Sequence, residues 1–168
     1  MSHVRPLAAS LVALALLGAA APLPAAAQLV EARVLGRAAA GQALAAAEAE
    51  ARRNGWNVSI AVVDGAGSLV AFLRMDDASP ASVDLSQGKA RTAARFRRPS
   101  KALEETIAGG RVAFTAVEGI TPIEGGVPIV VDGKVVGAVG VSGVTSQQDA
   151  VVATAGANAV VGGAPPGR

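Results

Sequence analysis

GGVPIVVDGKVVGAVGVSG, residues 125–143, predicts two apolar strands that are joined by a tight turn and end in a glycine-rich corner. Asp132-Gly133 is a strong hairpin signal, because both central residues of a type I′ turn need positive φ. The glycines of the second strand weaken a plain strand but let a ligand or a neighbouring backbone approach closely. They are Gly137, Gly140 and Gly143. We therefore expect a hairpin that carries a binding site on a sheet.

The elements outside the hairpin follow from hydrophobic periodicity and from turn residues. Helices are predicted over 36–53, 80–97, 100–108 and 146–161, and SQQD (146–149) resembles a capping box. Additional strands are predicted over 57–63, 68–74 and 114–120. Because hairpins and short turns join the strands, the sheet is expected to be antiparallel. The sequence thus predicts a single α+β domain over residues 28–161, with about five strands flanked by helices.

The two ends of the chain have their own patterns. Residues 1–27 combine Arg5, the apolar stretch 7–21 and Ala25-Ala26-Ala27, which is typical of a secretory signal cleaved after Ala27. The apolar stretch is shorter than the roughly 20 residues of a membrane span. We expect an exported protein, periplasmic or extracellular, with no membrane span after cleavage. Residues 162–168 are rich in glycine and proline and are predicted to form a disordered tail.

Composition excludes several classes of chemistry. The chain has no cysteine and no tyrosine, and its one histidine, His3, lies in the predicted signal segment. Single-chain zinc hydrolases, Ser-His-Asp triads, cysteine nucleophiles and histidine-ligated haem are therefore excluded. With 2% aromatic residues and a net charge of +2, the chain also lacks the stacking platform of a nucleic-acid binder. No metal site is predicted, since Asp76, Asp77 and Asp84 lack the spacing of a calcium loop.

The most basic part of the chain runs from Lys89 to Lys101 and contains no acidic residue. Arg91 and Arg95 are four residues apart and share one face of a predicted helix, opposite a face of alanines. One interpretation is that Lys89, Arg91 and Arg95 capture an anion, either haem propionates or a carboxylate metabolite. The other is a solvated helix face, or a subunit interface neutralised by acidic residues from elsewhere.

The order of motifs resembles the GlcG/HbpS haem-binding, or haem-degrading, family, which includes the C-terminal domain of PduO-type proteins. The similarity spans roughly residues 35–161. The motifs are IAVVDGAGSLVAFLRMD (60–76), QGKARTAARF (87–96), GGVPI (125–129), VVGAVGVSGVTSQQD (135–149) and AGANAV (155–160). One departure is Asp77, where many relatives have glycine, and this puts the local turn in doubt.

The resemblance implies an antiparallel sheet flanked by helices, similar to profilin-like and PAS-like domains, and a homo-oligomer. It also implies haem as a cofactor in some members, and a sensor or transport partner. Other members of the family accompany glycolate or diol utilisation.

The resemblance also implies roles for individual residues. By this resemblance, a hydroxyl from the basic segment, Thr92 or Ser100, would approach the haem iron. Met75 is the only usual iron ligand outside the predicted signal, and we interpret it as a core residue at the end of a strand. Thr92 could equally bond a helix carbonyl, and Ser100 could cap a helix. The pocket wall would be formed by Gly125, Gly126, Gly140 and Gly143. Trp56 is expected to close the edge of the core or to stack on a porphyrin.

Two functions remain open from the sequence. The first is an exported haem-binding protein, whose only expected catalysis is weak haem degradation by coupled oxidation on an open haem edge. The second is a non-catalytic accessory module that binds a small, glycolate-like carboxylate with the same basic helix. Glu118 and Glu124 lie before the hairpin, and we interpret them as surface carboxylates.

Overall fold

The computed structural model describes residues 32–162. The predicted signal segment (1–27) lies outside the described residues, as does all but the first residue of the predicted tail (162–168). The elements are helix α1 (Arg37–Asn54), strands β1 (Ser59–Asp64) and β2 (Leu69–Arg74), helices α2 (Ser82–Phe96) and α3 (Lys101–Ala108), a 3-10 helix (Val112–Ala116), strands β3 (Gly126–Val131) and β4 (Lys134–Ser142), and helix α4 (Ser146–Gly162).

The described strands form one antiparallel sheet in the order β2-β1-β4-β3. The β3–β4 hairpin has the predicted turn, with positive φ at both Asp132 (49°) and Gly133 (73°). Its register pairs Val131 with Lys134 and Gly126 with Gly140. The α+β fold is thus confirmed, and its sheet is antiparallel and flanked by helices.

The sheet has four strands, and the predicted strand over 114–120 is wrong. Residues 112–116 instead form a 3-10 helix, in which Phe114 N–H donates to Arg111 O and Val117 N–H donates to Phe114 O. The Arg111 guanidinium lies 5.0 Å from the centre of the Phe114 ring, which further stabilises the compact turn. These local bonds satisfy the backbone without a strand partner.

Helices α1, α2 and α3 begin one or two residues later than predicted, and α4 begins at the predicted residue but with a different cap. Helix α2 begins at Ser82, after Pro80, and Ser82 Oγ donates to Ser79 O at 2.6 Å. The capping box of α4 uses Thr145 rather than Ser146: Thr145 N–H donates to Gln148 Oε1, and Gln148 N–H donates to Thr145 Oγ1. The shift of the box by one residue leaves Asp149 free for a different role.

The two faces of the sheet have different partners. Helices α1 and α4 cover a face made of branched side chains, including Val58, Ile60, Val62, Val139 and Val141. Helix α2 covers the other face, where the buried apolar residues are small or short: Ala61, Val63 and Ala138 pack on Ala90, Ala93 and Ala94. The small residues allow the backbone of α2 to lie close to the sheet.

Glycines complete this close contact. A Cβ on Gly140 would lie 2.1 Å from Ser86 O and 2.4 Å from Ala90 N, and one on Gly126 would lie 2.2 Å from Lys89 O. A Cβ on Gly125 would lie 2.9 Å from the Lys89 ammonium, and a Cβ on Gly143 would lie 2.4 Å from Asn57 O. The four glycines that were predicted to form the wall of a ligand pocket therefore pack against other parts of the protein, namely helix α2 and neighbouring backbone. This packing is possible because glycine has no side chain.

Among residues 32–162, no helix has the combined length and apolar character that crossing a membrane requires.

Candidate functional site

Lys89 lies on the buried side of α2 and is engaged within the protein. Its Nζ donates to Asp149 Oδ2 at 2.8 Å, and the two side chains are only 3% and 2% exposed. Asp149 Oδ1 also accepts from Val144 N–H at 3.2 Å. Burial raises the pKa of Asp149, and the bonds from Lys89 and Val144 partly oppose that rise. Because this ammonium is already paired and shielded from solvent, it is not placed to hold the carboxylate of an external ligand.

Thr92 and Ser100 are also buried, and their hydroxyls position the loop before β3. Thr92 Oγ1 accepts from Thr121 N–H at 2.8 Å. Ser100 Oγ donates to Ile123 O at 2.6 Å and accepts from Gly126 N–H at 2.8 Å. Both hydroxyls therefore bond backbone that is distant in the chain, which differs from both the iron-ligand and the helix-cap interpretations.

The two remaining predicted anion ligands lie on the accessible side of α2. Arg91 is half-buried, and Arg95 is exposed. Gly67 of the β1–β2 turn lies under both stems, since a Cβ on it would come within 2.9 Å of Arg91 Cγ and 3.3 Å of Arg95 Cγ. Neither guanidinium forms an ion pair with a carboxylate of the described residues. These are therefore the two cations of α2 with charge available to a ligand or partner.

Arg95 borders a cleft of about 300 Å³ between the end of α2 and the loop that follows the 3-10 helix. Its lining residues are Arg95, Phe96, Val117, Glu118, Gly119 and Ile120. The bond from Thr121 to Thr92 fixes the far end of this loop onto α2. The cleft thus combines one guanidinium, one carboxylate and an apolar wall. We define it as the Arg95 cleft.

Sequence reasoning found Arg95 but missed the loop residues 117–120. That segment was predicted to be part of a strand, and it carries no recognised motif that would indicate a loop beside a cleft. The one sequence feature that could have indicated a turn here is Gly119, which has a φ of +74° and lies in the lining of the cleft.

Another, smaller pocket of about 220 Å³ lies at the end of α1. It is lined by Arg52, Gly55, Trp56, Asn57 and Met75. Trp56 and Met75 pack against the core on the α1–α4 face of the sheet. Arg52 is already bonded to Glu48 at 2.6 Å, one helical turn away. The Met75 thioether and Arg95 therefore line different pockets.

The remaining carboxylates form no functional pair. Glu118 lines the Arg95 cleft, whereas Glu124 accepts from Lys101 Nζ at 3.1 Å and its backbone N–H donates to Glu104. Within residues 32–162, no three carboxylate or histidine groups come together as metal ligands.

Comparisons with known proteins place this arrangement in a family. The family model described as "Haem degrading protein HbpS-like" matches residues 35–158. The chain belongs to the HbpS-like family. Protein GlcG of Escherichia coli K12 is 52% identical over 109 residues, which is 65% of this chain and 81% of that protein.

Solved structures of family members have the same fold. A double mutant of Streptomyces reticuli HbpS matches with a TM-score of 0.74 and 34% identity, covering 84% of this chain and 97% of the other. A structure described as a PduOC:heme complex matches with a TM-score of 0.69 and 25% identity, covering 76% and 95% of the two chains. The HbpS-like fold is therefore shown over nearly all of the described residues, and haem binding is supported at the level of the family.

Proposed function

We propose that this HbpS-like protein binds haem at the Arg95 cleft, with the guanidinium of Arg95 paired to a propionate. The single observation that carries the proposal is the placement of Arg95. It is exposed, free of carboxylate partners within the described residues, and set at the edge of an apolar cleft. The haem complex of the PduOC relative supports the choice of ligand.

The residues of the cleft fit the periphery of haem better than its iron. Phe96, Val117 and Ile120 offer apolar surface for a porphyrin ring, and Arg95 offers a forked donor for a carboxylate. The strong protein ligands of haem iron, namely histidine, cysteine and tyrosine, do not occur in the described residues, and the cleft offers only the Glu118 carboxylate as a donor. A weak oxygen donor implies loosely held, exchangeable haem.

Loose binding suits a carrier or sensor more than an efficient oxygenase. When bound, haem would supply redox chemistry that the protein's own side chains lack. A cleft of about 300 Å³ is at the lower end of the range for ligand pockets, so much of a haem would stay accessible to solvent. We therefore propose binding as the main activity and slow degradation at most.

A small carboxylate is the second candidate, and the size of the cleft favours it. A cleft of about 300 Å³ with one free guanidinium has room for a two-carbon or three-carbon acid. Glu118 at the rim could accept a hydrogen bond from the hydroxyl of such an acid. In that case haem would bind only adventitiously.

Titration with haemin tests the first candidate. The unchanged protein should give a saturable Soret shift at micromolar haemin, and Arg95→Ala should weaken binding about tenfold through loss of one charge-assisted contact. Arg37→Ala is the matched control, since Arg37 is an exposed arginine at the start of α1. Absence of a saturable shift, or equal affinity of the Arg95→Ala protein, would contradict the proposal.

Two further ligands sharpen this titration. Iron-free protoporphyrin should bind within a few-fold of haemin, because the cleft supplies no strong iron ligand. Two-carbon acids should raise the thermal midpoint only if the second candidate is correct, since a ligand stabilises the folded state by mass action. Thermal stabilisation by an acid that displaces haemin would favour the small carboxylate.

We also propose that the protein is exported, on the basis of the pattern in residues 1–27. N-terminal sequencing of protein recovered from the native host should begin at Gln28. Recovery of the chain with Met1 from the cytosol would contradict export.

A further inference from the structure

The Arg95 cleft supplies fewer positive charges than a ligand with two carboxylates can use. Haem has two propionates, whereas Arg95 is the only cation in the lining of this cleft. The lining also contains Glu118, an exposed carboxylate that repels an anion. A carboxylate is held best by charge-assisted hydrogen bonds. A ligand with two carboxylates would therefore be held better if a second cation stood close to the cleft.

Arg111 is an unpaired cation at the start of the segment that forms one wall of the cleft. It directly precedes the 3-10 helix, which leads into Val117 and Glu118 of the lining. Arg111 is exposed and forms no ion pair with a carboxylate among residues 32–162. Its guanidinium rests on the Phe114 ring, and a cation–π contact at an exposed site is weaker than hydrogen bonds to a carboxylate. A carboxylate nearby can therefore draw the guanidinium from the ring.

The 3-10 helix directs Arg111 along the same side as the cleft. Because such a helix has three residues per turn, Arg111, Phe114 and Val117 follow one another along one side of it. A rise of about 2.0 Å per residue separates Arg111 from Val117 by about 12 Å along the axis. The long stem of arginine covers a large part of this distance. A ligand that projects from the cleft along this side would thus meet the Arg111 guanidinium.

The segment that carries Arg111 is held mainly by bonds between near neighbours. Among the described residues, the hydrogen bonds of 111–120 stay within 106–120. The next residue, Thr121, is the first to be bonded elsewhere, through its N–H to Thr92. Gly110 and Gly119, with φ of 99° and 74°, flank the segment. The segment can therefore shift toward a ligand without breaking hydrogen bonds to the sheet or to α2.

We propose that Arg111 is a second anion-binding residue of the Arg95 cleft and makes the cleft selective for ligands with two carboxylates. The inference rests on the proposed function, in which Arg95 pairs with one propionate of haem. Arg111 leaves the Phe114 ring and pairs with the other propionate. The two guanidiniums come from different walls, one from α2 and one from the segment after α3. A ligand with a single carboxylate engages only one of them.

Haemin titration of two variants tests the role of Arg111. Arg111→Ala should raise the Kd for haemin about tenfold, through loss of one charge-assisted contact. Arg98→Ala is the matched control and should leave the Kd unchanged, since Arg98 is also exposed and unpaired among the described residues. The dimethyl ester of haemin, which has no carboxylate, should bind the Arg111→Ala protein and the unchanged protein equally. An unchanged Kd in Arg111→Ala, an equal loss in Arg98→Ala, or an equal loss with the ester would overturn the proposal.

Small acids separate this inference from the proposed haem function. Glutaric acid should raise the thermal midpoint of the unchanged protein more than pentanoic acid does, because only glutaric acid has a second carboxylate. Arg111→Ala should remove this difference, and Arg98→Ala should keep it. Absence of a saturable Soret shift in the unchanged protein would contradict the proposed function, and the two acids would then decide the role of Arg111 by themselves. Equal midpoints with the two acids would overturn that role.

Discussion

Arg97 ends helix α2 in a conformation that suits glycine. Its φ of 53° and ψ of 37° lie in the left-handed region, and its N–H donates to Ala93 O and Ala94 O. Glycine is preferred at this position because it has no Cβ to clash with the backbone. Asp77 has a similar φ of 62°, and aspartate tolerates this region better than most residues. The local turn therefore forms with aspartate at position 77, where many relatives have glycine.

Replacing Arg97 with glycine is expected to stabilise the protein. The relief of backbone strain should exceed the added entropy of the unfolded chain, which gives a net gain of about 0.5–1 kcal/mol in the free energy of unfolding. Urea denaturation of the Arg97→Gly protein measures this gain. Arg98→Gly is the control, because Arg98 has a negative φ and glycine there adds only unfolded-state entropy. Equal stability changes in the two proteins would refute the explanation.

The contact between helix α2 and strand β4 depends on Gly140, where no other residue would fit. Because the atoms that a Cβ on Gly140 would meet are backbone, they cannot move independently. Gly140→Ala should therefore lower the free energy of unfolding by about 3 kcal/mol or more. Thermal and urea unfolding would measure this loss.

A glycine with open space around it provides the matched control. A Cβ on Gly41, within helix α1, would meet nothing within 4 Å. Gly41→Ala should raise stability by about 0.5–1 kcal/mol, because alanine favours a helix more than glycine does. If Gly140→Ala were as harmless as Gly41→Ala, α2 could not lie as close to β4 as the structure has it.

The ion pair of Lys89 and Asp149 joins helix α2 to helix α4 and is the other main constraint on α2. Removing one partner leaves a buried charge without compensation, so Asp149→Asn should lower the free energy of unfolding by about 3 kcal/mol. Replacing both partners by Lys89→Met and Asp149→Leu should recover much of that loss, because the two desolvated charges then disappear together.

A double-mutant cycle in urea measures this coupling. Lys101→Met, which breaks the exposed pair with Glu124, is the control and should barely change stability. Single changes at Lys89 or Asp149 that are as mild as the control would show that the pair is open to solvent and free to bind an external ligand.

Most helices and strands could be predicted from the sequence, because each is determined by residues that are close together in the chain. The Asp132-Gly133 turn and the alternation of β1 need only a few positions to be recognised. The 3-10 helix at 112–116 was missed because bonds between near neighbours replaced the strand partner that the prediction required. The hairpins predicted that the sheet is antiparallel, whereas the strand order, with β1 beside β4, depends on a pairing between strands distant in the chain.

The site was predicted less completely, because its contacts are distant in the chain. The basic segment was visible, but its pattern could not show that Lys89 meets a carboxylate 60 residues away whereas Arg95 stays free. Thr92 and Ser100 were likewise recognised as special, although their partners are backbone groups of a loop without a motif. The glycines were expected to admit a ligand or a neighbouring backbone, and the three-dimensional packing shows helix α2 beside Gly140 and the backbone of Asn57 beside Gly143.

Over the described residues, the molecule is thus a sheet with one helix, α2, that is held by close packing and by a buried ion pair. The C-terminal end of α2 places Arg95 at the Arg95 cleft. A crystal structure of the protein grown with stoichiometric haemin tests this account most directly. The account predicts a porphyrin carboxylate within hydrogen-bond distance of the Arg95 guanidinium and a ring against Phe96 and Val117. Porphyrin bound instead in the pocket of Trp56 and Met75, or an empty Arg95 cleft in crystals that contain haem elsewhere, would contradict it.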